Sequence, residues 1–218
     1  MAQIDAELTF RAFDEKDFEP LAGLVGRTWL ADFPVAAQRA AGRVELSHYL
    51  AQATWSLLAE REGEGELLGA VLLVERDSEP IPGAWPALEE RLAAEAEKDP
   101  ELAEAIRVEM SGVEEEAELE REYAATGAPG TAATIKLLIV SPDAKGLGIG
   151  GRLFSAAVER VRKTGAPGYH LLTDDACNVG FYEHKGLSCA MRRRSRAYWP
   201  GADPATDDFH VYVYEQEL

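Results

Sequence analysis

Residues 140–153 read VSPDAKGLGIGGRL, and this stretch decides the fold of the chain. It follows an apolar run at residues 134–140 and precedes apolar residues at helical spacing, which predicts a strand, a loop and a helix in that order. Glycines at positions 146, 148, 150 and 151 leave the main chain without side-chain bulk, so several N–H groups can converge on one anion at the positive end of the helix. The pattern favours a pyrophosphate site, although a tight turn would also use such glycines.

A dinucleotide-binding fold is the first alternative for this loop. Gly146, Gly148 and Gly151 fit the G-x-G-x-x-G fingerprint, with Asp174 at a later strand end. In that fold the first glycine follows its strand almost at once and opens a long series of βα units. Here residues 142–145 intervene and only 67 of the 218 residues follow Gly151, too few for a complete doubly wound domain. A dinucleotide-binding half-domain is still an alternative.

The rest of the chain supplies strands and helices around the loop. Asp14, with Asp17 three residues later, predicts a helix start, and Gly63-Glu64-Gly65 predicts a hairpin turn. This order predicts an α/β (α+β) fold in which helices flank a mixed central β-sheet. The predicted strands are residues 8–13, 55–62, 66–75, 134–140, 169–173, 187–199 and 209–214, and the predicted helices are residues 18–29, 35–50, 149–161 and 175–185.

A strongly acidic segment lies between the hairpin and the loop. Residues 79–122 carry 15 acidic residues and four basic ones. Asp99-Pro100 predicts a helix start, after which Leu102, Ile106 and Met110 repeat every four residues as a stripe that should dock on the protein. We expect one domain over residues 1–218 with an acidic helical insertion at about residues 79–130. Its acidic face is either a solvated surface or a wall that attracts a positively charged substrate.

Composition limits the partners and the location of the chain. With 46% hydrophobic residues it can bury one full core, and its net charge of −17 argues against nucleic acid and an anionic membrane as partners. No apolar run reaches the roughly 18 residues of a membrane span, and the first ten residues lack the features of a signal peptide, so we expect a cytoplasmic protein. Cys177 and Cys189 form no metal-ligand pattern, and we expect no metal site and no disulfide.

The loop and the residues downstream of it resemble the GNAT superfamily of N-acetyltransferases. The resemblance is carried by Val-x-Pro-x-x-Lys-Gly-x-Gly-x-Gly from Val140, by Asn178, by Phe181-Tyr182 and by Lys185-Gly186-Leu187. It implies a GNAT-like acyltransferase domain that uses acetyl-CoA as acyl donor. The family loop is usually Gln/Arg-x-x-Gly-x-Gly/Ala, so Lys145 here keeps a positive charge but loses a planar fork of donors. The implied pyrophosphate loop is Lys145, Gly146, Leu147, Gly148, Ile149, Gly150 and Gly151.

The resemblance also implies roles for residues on either side of the loop. Leu138, Ile139 and Val140 would offer main-chain groups to the pantetheine arm of acetyl-CoA, unless they form a plain core strand. Asn178 would hold the pantetheine or the diphosphate arm. Tyr182 would protonate the departing CoA thiolate, because a phenol with a pKa of about 10 stays protonated at neutral pH, whereas a thiol has a pKa of about 8.5.

The acceptor amine needs a base, because an amine is protonated in water and cannot attack a thioester in that form. Glu60 on the second strand and Asp174 at a strand end are the candidates, and no pattern selects one of them. The four histidines form no triad with a serine, so we expect direct transfer without a covalent enzyme intermediate. Arg192, Arg194 and Arg196 should share one face of a strand, which is either a solvated face that guards a sheet edge or a row that meets phosphates, an acidic substrate group or the acidic segment.

Three functions are compatible with these residues. The leading hypothesis is an N-acetyltransferase that moves the acetyl group of acetyl-CoA to a primary amine of a small, cationic molecule. The alternatives are a non-catalytic CoA-binding sensor or regulatory module, and an acetyltransferase of protein lysines or N-termini. A homodimer is a candidate assembly.

Overall fold

A mixed β-sheet forms the centre of the protein. The computed structural model describes residues 8–63, 65–199 and 206–218, and within them seven strands join one sheet in the order β1-β2-β3-β4-β5-β7-β6. Neighbouring strands are antiparallel except β4 and β5, which are parallel. The predicted α/β fold with a mixed central sheet is confirmed. The strands are β1 (Leu8–Arg11), β2 (Trp55–Arg61), β3 (Leu67–Glu75), β4 (Ala133–Val140), β5 (Gly168–Asp174), β6 (Ser188–Arg194) and β7 (His210–Glu217).

Helices cover both faces of this sheet. Asp14 and Asp17 form a reciprocal capping box at a short 3-10 turn that leads into the first helix, as predicted. Gly63 and Gly65 have the positive φ of the predicted hairpin turn, whereas Glu64 lies outside the described residues. No helix within the described residues is both long enough and apolar enough to cross a membrane. The helices are α1 (Phe18–Trp29), α2 (Val35–Leu50), α3 (Trp85–Ala96), α4 (Pro100–Ala124), α5 (Ile149–Thr164) and α6 (Val179–His184).

The two faces of the sheet bury separate apolar cores. Helices α1 to α4 pack on one face against side chains of β2, β3 and β4, whereas α5 packs on the other face. Helices α1 and α2 approach each other closely at two glycines. A Cβ atom on Gly42 would lie 2.3 Å from the carbonyl oxygen of Ala22, so only glycine fits there.

Helix α4 crosses the sheet from α2 to β7. Its N-terminal half packs on α2 through Ala105 and Val108, and its C-terminal half packs on β7 through Leu119. The acidic segment is therefore docked on the protein by apolar residues. The predicted stripe of Leu102, Ile106 and Met110 packs against these cores but is only partly buried. Arg193, on the strand face opposite to Arg192 and Arg194, donates to Glu122 of α4 at 2.9 Å. Of the arginine row at residues 192, 194 and 196, Arg196 contacts Glu118 of the acidic segment at 3.0 Å. Arg192 lies over the ring of Tyr212, and Arg194 donates to the carbonyl oxygen of Asp207.

Two predicted boundaries are corrected by contacts that the sequence pattern does not reveal. Strand β6 ends at Arg194 instead of residue 199, because the carboxylate of Glu115 accepts hydrogen bonds from Ser195, Arg196 and Ala197 and holds residues 195–197 against α4. Helix α6 begins at Val179 instead of residue 175. The carboxylate of Asp174 accepts the N–H groups of residues 176 and 177 and forms a turn there.

Candidate functional site

The parallel strands β4 and β5 separate and open a cavity. They pair only at Thr134–His170 and Ile135–Leu171, so beyond Ile135 the edge of β4 that faces β5 is not bonded to that strand. The opening leads into a cavity of about 490 Å³ between the strands, α1, α2, α4 and residues 195–199. Leu138 lines this cavity, and Leu138, Ile139 and Val140 pair with Val71, Ala70 and Gly69 of β3 along the other edge of β4. The separated strands leave main-chain donors and acceptors available to an extended ligand.

The glycine loop opens directly into helix α5. Gly146 and Gly148 have φ values of 90° and 70°, a left-handed conformation that favours glycine. Gly148 occupies the N-cap position, and the first backbone bond of the helix runs from Arg152 N to Gly148 O at 3.1 Å. The N–H groups of residues 149–151 therefore precede the helical hydrogen bonds and can bind an anion at the positive end of α5. A Cβ atom on Gly148 would have no protein atom within 4 Å, so this cradle is open.

Two lysines lie at the cradle, whereas Asn178 is placed by α6. Lys145 is exposed and has no ion pair within the described residues, so its side chain can turn toward a bound anion. The Nζ atom of Lys185 lies 3.8 Å from the position of a Cβ atom on Gly151, which places a second cation beside the loop. Asn178 is the exposed N-cap residue of α6 and makes no side-chain cap bond, but it does not line the cavity.

Tyr182 of α6 lines the cavity from the α5 side of the sheet. Its ring packs against those of Phe154 and Tyr214, with centroids 6.4 and 6.3 Å away. Burial raises the pKa of Tyr182, and the nearby Cys177 and Glu116 raise it further, so its hydroxyl is protonated at neutral pH. This side chain is therefore placed and protonated as a proton donor to a group in the cavity.

Glu60 lies away from the cavity. Both of its carboxylate oxygens bind the guanidinium of Arg11, with Nε 2.9 Å from Oε2, and Arg11 also binds Asp17. Strand β2 sets this position, because Glu60 pairs with Thr9 of the edge strand β1 beside Arg11. A carboxylate engaged in this way outside the cavity cannot reach an acceptor amine there. Asp174, the other candidate base, does line the cavity.

Several carboxylates of α2 and α4 also line the cavity. Three of them, Glu45 of α2 with Glu109 and Glu116 of α4, have no ion-pair partner within the described residues. Burial raises the pKa of each, and that of Glu116 reaches about 8 with a further contribution from Asp174. The described residues contain no group of three or more His, Cys, Asp or Glu side chains that could hold a metal ion. The sequence feature that could have predicted two of these cavity carboxylates is the seven-residue spacing of Glu109 and Glu116, which puts both on one face of a helix.

Lys136 is the one cation among the described residues that line the cavity, and it is already neutralised. Its Nζ atom lies 2.6 Å from Glu120, which also accepts from Thr134 at 3.0 Å and lies 3.4 Å from His170. Burial of Glu120 would raise its pKa, but His170 and Lys136 outweigh burial and lower it to about 2. Glu115 lies 3.8 Å from Arg193, whereas Glu45, Glu109 and Glu116 have no ion-pair partner within the described residues.

Comparison with known families identifies the class of protein. The pattern of the Acetyltransferase (GNAT) family matches residues 24–187, which is most of the chain. The chain therefore belongs to the GNAT acetyltransferase family, whose members bind acetyl-CoA and an acceptor. No curated protein matches the chain in sequence.

Solved structures agree on the fold. A mosquito arylalkylamine N-acetyltransferase like 5b matches with a TM-score of 0.58 at 15% identity, over 97% of this chain and 100% of that one. An agmatine N-acetyltransferase mutant in its apo form matches with a TM-score of 0.56 at 17% identity, over 97% and 100% of the two chains. The ribosomal-protein-S18-alanine N-acetyltransferase from Escherichia coli matches with a TM-score of 0.55 at 12% identity, over 97% and 94%. Similarity at these identities establishes the fold alone.

Proposed function

We propose that the protein transfers the acetyl group of acetyl-CoA directly to a primary amine of a small, cationic molecule. One observation carries this proposal: the end of β4 that is not paired with β5 runs from Leu138 in the cavity toward the glycine loop, and the cavity contains Tyr182 and carboxylates without cationic partners. Family membership supports acyl transfer, and the charge of the cavity supports a cationic acceptor.

The residues around the gap fit acetyl-CoA. The N–H groups of residues 149–151 would bind its pyrophosphate, assisted by Lys145 and Lys185, and the free edge of residues 138–140 would bond to the pantetheine arm. Asn178 would contact the same arm from the start of α6. The fit rests on the unbonded N–H groups and on the left-handed glycines, which keep the cradle clear of side chains.

Glu116 and Tyr182 would handle the protons of the reaction. Glu116, with a pKa of about 8, is matched to accept a proton from the ammonium form of the acceptor near neutral pH, and Asp174 lies close enough to assist. The amine nitrogen then bonds to the thioester carbonyl carbon as the carbon–sulfur bond breaks. Tyr182 gives its proton to the sulfur and regains one from the nitrogen, so that the products are an amide and CoA thiol.

The position of helix α4 favours a small molecule as the acceptor instead of a protein. We propose that about residues 79–130 are an insertion within a single domain over residues 1–218. Together with residues 195–199, α4 lines the cavity, and Glu115 holds residues 195–197 against the helix. A walled cavity suits a small amine, whereas a peptide needs an open groove.

Thiol release from acetyl-CoA with a panel of amines and peptides tests the proposal, with calorimetry of CoA binding as a second measurement. Gly148→Ala and Gly165→Ala are a matched pair, because both glycines have a left-handed φ and open space around the Cβ position at opposite ends of α5. We expect each variant to lose about 1–2 kcal/mol of stability, and only Gly148→Ala to weaken CoA binding, by about tenfold or more.

Three outcomes would contradict the proposal in different ways. Tight CoA binding without thiol release in the presence of any acceptor would indicate a sensor. Release with peptides but not with small amines would indicate a protein acetyltransferase. Equal effects of Gly148→Ala and Gly165→Ala on CoA binding would show that the glycine loop is not the pyrophosphate site.

A further inference from the structure

We propose that Glu45 and Glu109 form a subsite for a second cationic nitrogen, and that the acceptor is therefore a diamine or polyamine. This inference rests on the proposed function and names its substrate class. It starts from a buried polar atom that the fold leaves without a partner.

Glu45 carries that atom. The residue is 2% exposed, it lines the cavity, and its Oε2 atom has no hydrogen-bond donor within the described residues. The Glu109 carboxyl and the Tyr49 hydroxyl lie next to it. Two adjacent carboxyl groups cannot hydrogen-bond to each other unless one is protonated, and a buried acceptor without a donor is costly. A cationic N–H donor from a ligand would satisfy both groups.

The protein supplies no cation of its own to this end of the cavity. Lys136 is the one Lys or Arg among the described residues that line the cavity, and it is paired with Glu120. The neighbouring Glu115 is also satisfied, because residues 195–197 donate to it. Glu45 and Glu109 are thus left to a ligand, together with Glu116 at the end near Tyr182.

Helix α4 sets the distance between the two ends. Glu109 and Glu116 are seven residues apart, which corresponds to two turns and about 10.5 Å along the helix axis. Gly112 and Val113 lie between them on the same face and also line the cavity. The order along this face is carboxylate, small and apolar residues, carboxylate. It matches an amine at each end of a chain of several methylene groups.

A pair of matched acceptors tests the inference. Diaminohexane and hexylamine share a reactive amine and an apolar chain, but only diaminohexane has a second nitrogen. We expect kcat/KM for diaminohexane to exceed that for hexylamine by about tenfold or more, after allowance for its two equivalent ends, since a hydrogen bond to a charged group contributes on this scale.

Substitution of the proposed subsite provides the second measurement. Glu45→Gln and Glu109→Gln should each reduce the ratio of the two kcat/KM values by about tenfold or more, mainly through KM for diaminohexane. Glu114→Gln is the matched control, because Glu114 lies on the same helix but is exposed and outside the cavity, and it should preserve the ratio.

The failures of the two proposals differ. If the wild-type protein acetylates hexylamine and diaminohexane equally well, or if Glu45→Gln lowers both activities by the same factor, the subsite is wrong and the proposed function stands. If the folded protein acetylates no amine at all, the proposed function fails and this inference fails with it.

Discussion

Replacing Glu116 by glutamine should stabilise the protein without ligand while it impairs catalysis. Glu116 lies on α4 and lines the cavity. The charged groups around it are Asp174 of β5, Lys136 of β4, and Glu109 and Glu120 of α4 itself. Burial is the largest cause of its raised pKa, followed by Asp174, while Lys136 opposes both. Glutamine keeps the shape of the side chain and removes the charge.

The pKa of Glu116 fixes the sign and the size of the effect. Its ordinary pKa is 4.5 and its value in the folded protein is about 8, so between these values the folded state binds a proton that the unfolded state has lost. Stability therefore falls as the pH rises through this window. Each tenfold change in proton affinity corresponds to about 1.4 kcal/mol. The free energy of unfolding of Glu116→Gln should therefore exceed that of the wild type by up to about 5 kcal/mol above pH 8, and by little near pH 5.

Urea denaturation at several pH values, with acetyl-CoA and amine absent, measures this difference. Glu114→Gln, an exposed position on the same helix, should follow the wild type at every pH. In thiol-release assays at saturating acetyl-CoA, Glu116→Gln should lose about a hundredfold or more in kcat/KM, the usual contribution of a general base. A stability difference that stays constant from about pH 5 to about pH 9 would mean that Glu116 titrates normally, and its assignment as the base would lose its physical support.

Two further predictions concern the other polar groups of the site. Tyr182→Phe should lower kcat by about a hundredfold and leave the Kd for CoA unchanged in calorimetry, because only the acidic proton is lost; an unchanged kcat would refute its role. Glu120→Gln should destabilise the protein by about 3 kcal/mol at neutral pH, since the pKa of Glu120 is lowered from 4.5 to about 2 and Lys136 would lose its partner. This stabilisation should vanish as the pH falls from about 4.5 to about 2 in acid denaturation of the wild type, and a variant as stable as the wild type would refute it.

Local patterns were sufficient to predict the fold of this chain. The Asp14–Asp17 capping box, the apolar run of β4 and the glycines before α5 each act within a few residues, and the structure confirms all three. Errors occurred where a distant residue controls the backbone. Strand β6 stops short because Glu115, some 80 positions earlier in the chain, takes the N–H groups that would have continued the sheet. Period and propensity carry no information about such a partner.

A contiguous motif predicted only part of the candidate site. The loop at residues 145–151 leads into α5 and Tyr182 lines the cavity, whereas the roles that the resemblance implies for them stay predictions. The base was not predictable, because acidic residues are abundant and their roles depend on which helix face they occupy. Glu60 looked suitable on its strand, yet the edge strand β1 supplies Arg11 as its partner. Glu45 and Glu109 meet only after α2 and α4 have packed.

The partners of the glutamates on α4 provide the strongest argument that its acidic face has a function. Glu118 and Glu122 pair with Arg193, and Glu120 pairs with Lys136, so the fold can satisfy acidic residues on this helix where stability requires it. Glu109 and Glu116 have no such partner within the described residues, although both line the cavity. Unpaired carboxylates in a partly buried cavity reduce stability, and residues that break local rules without compensation concentrate at functional sites. A cationic acceptor that spans the cavity would supply the missing charges, which explains why these two positions in particular are left unpaired.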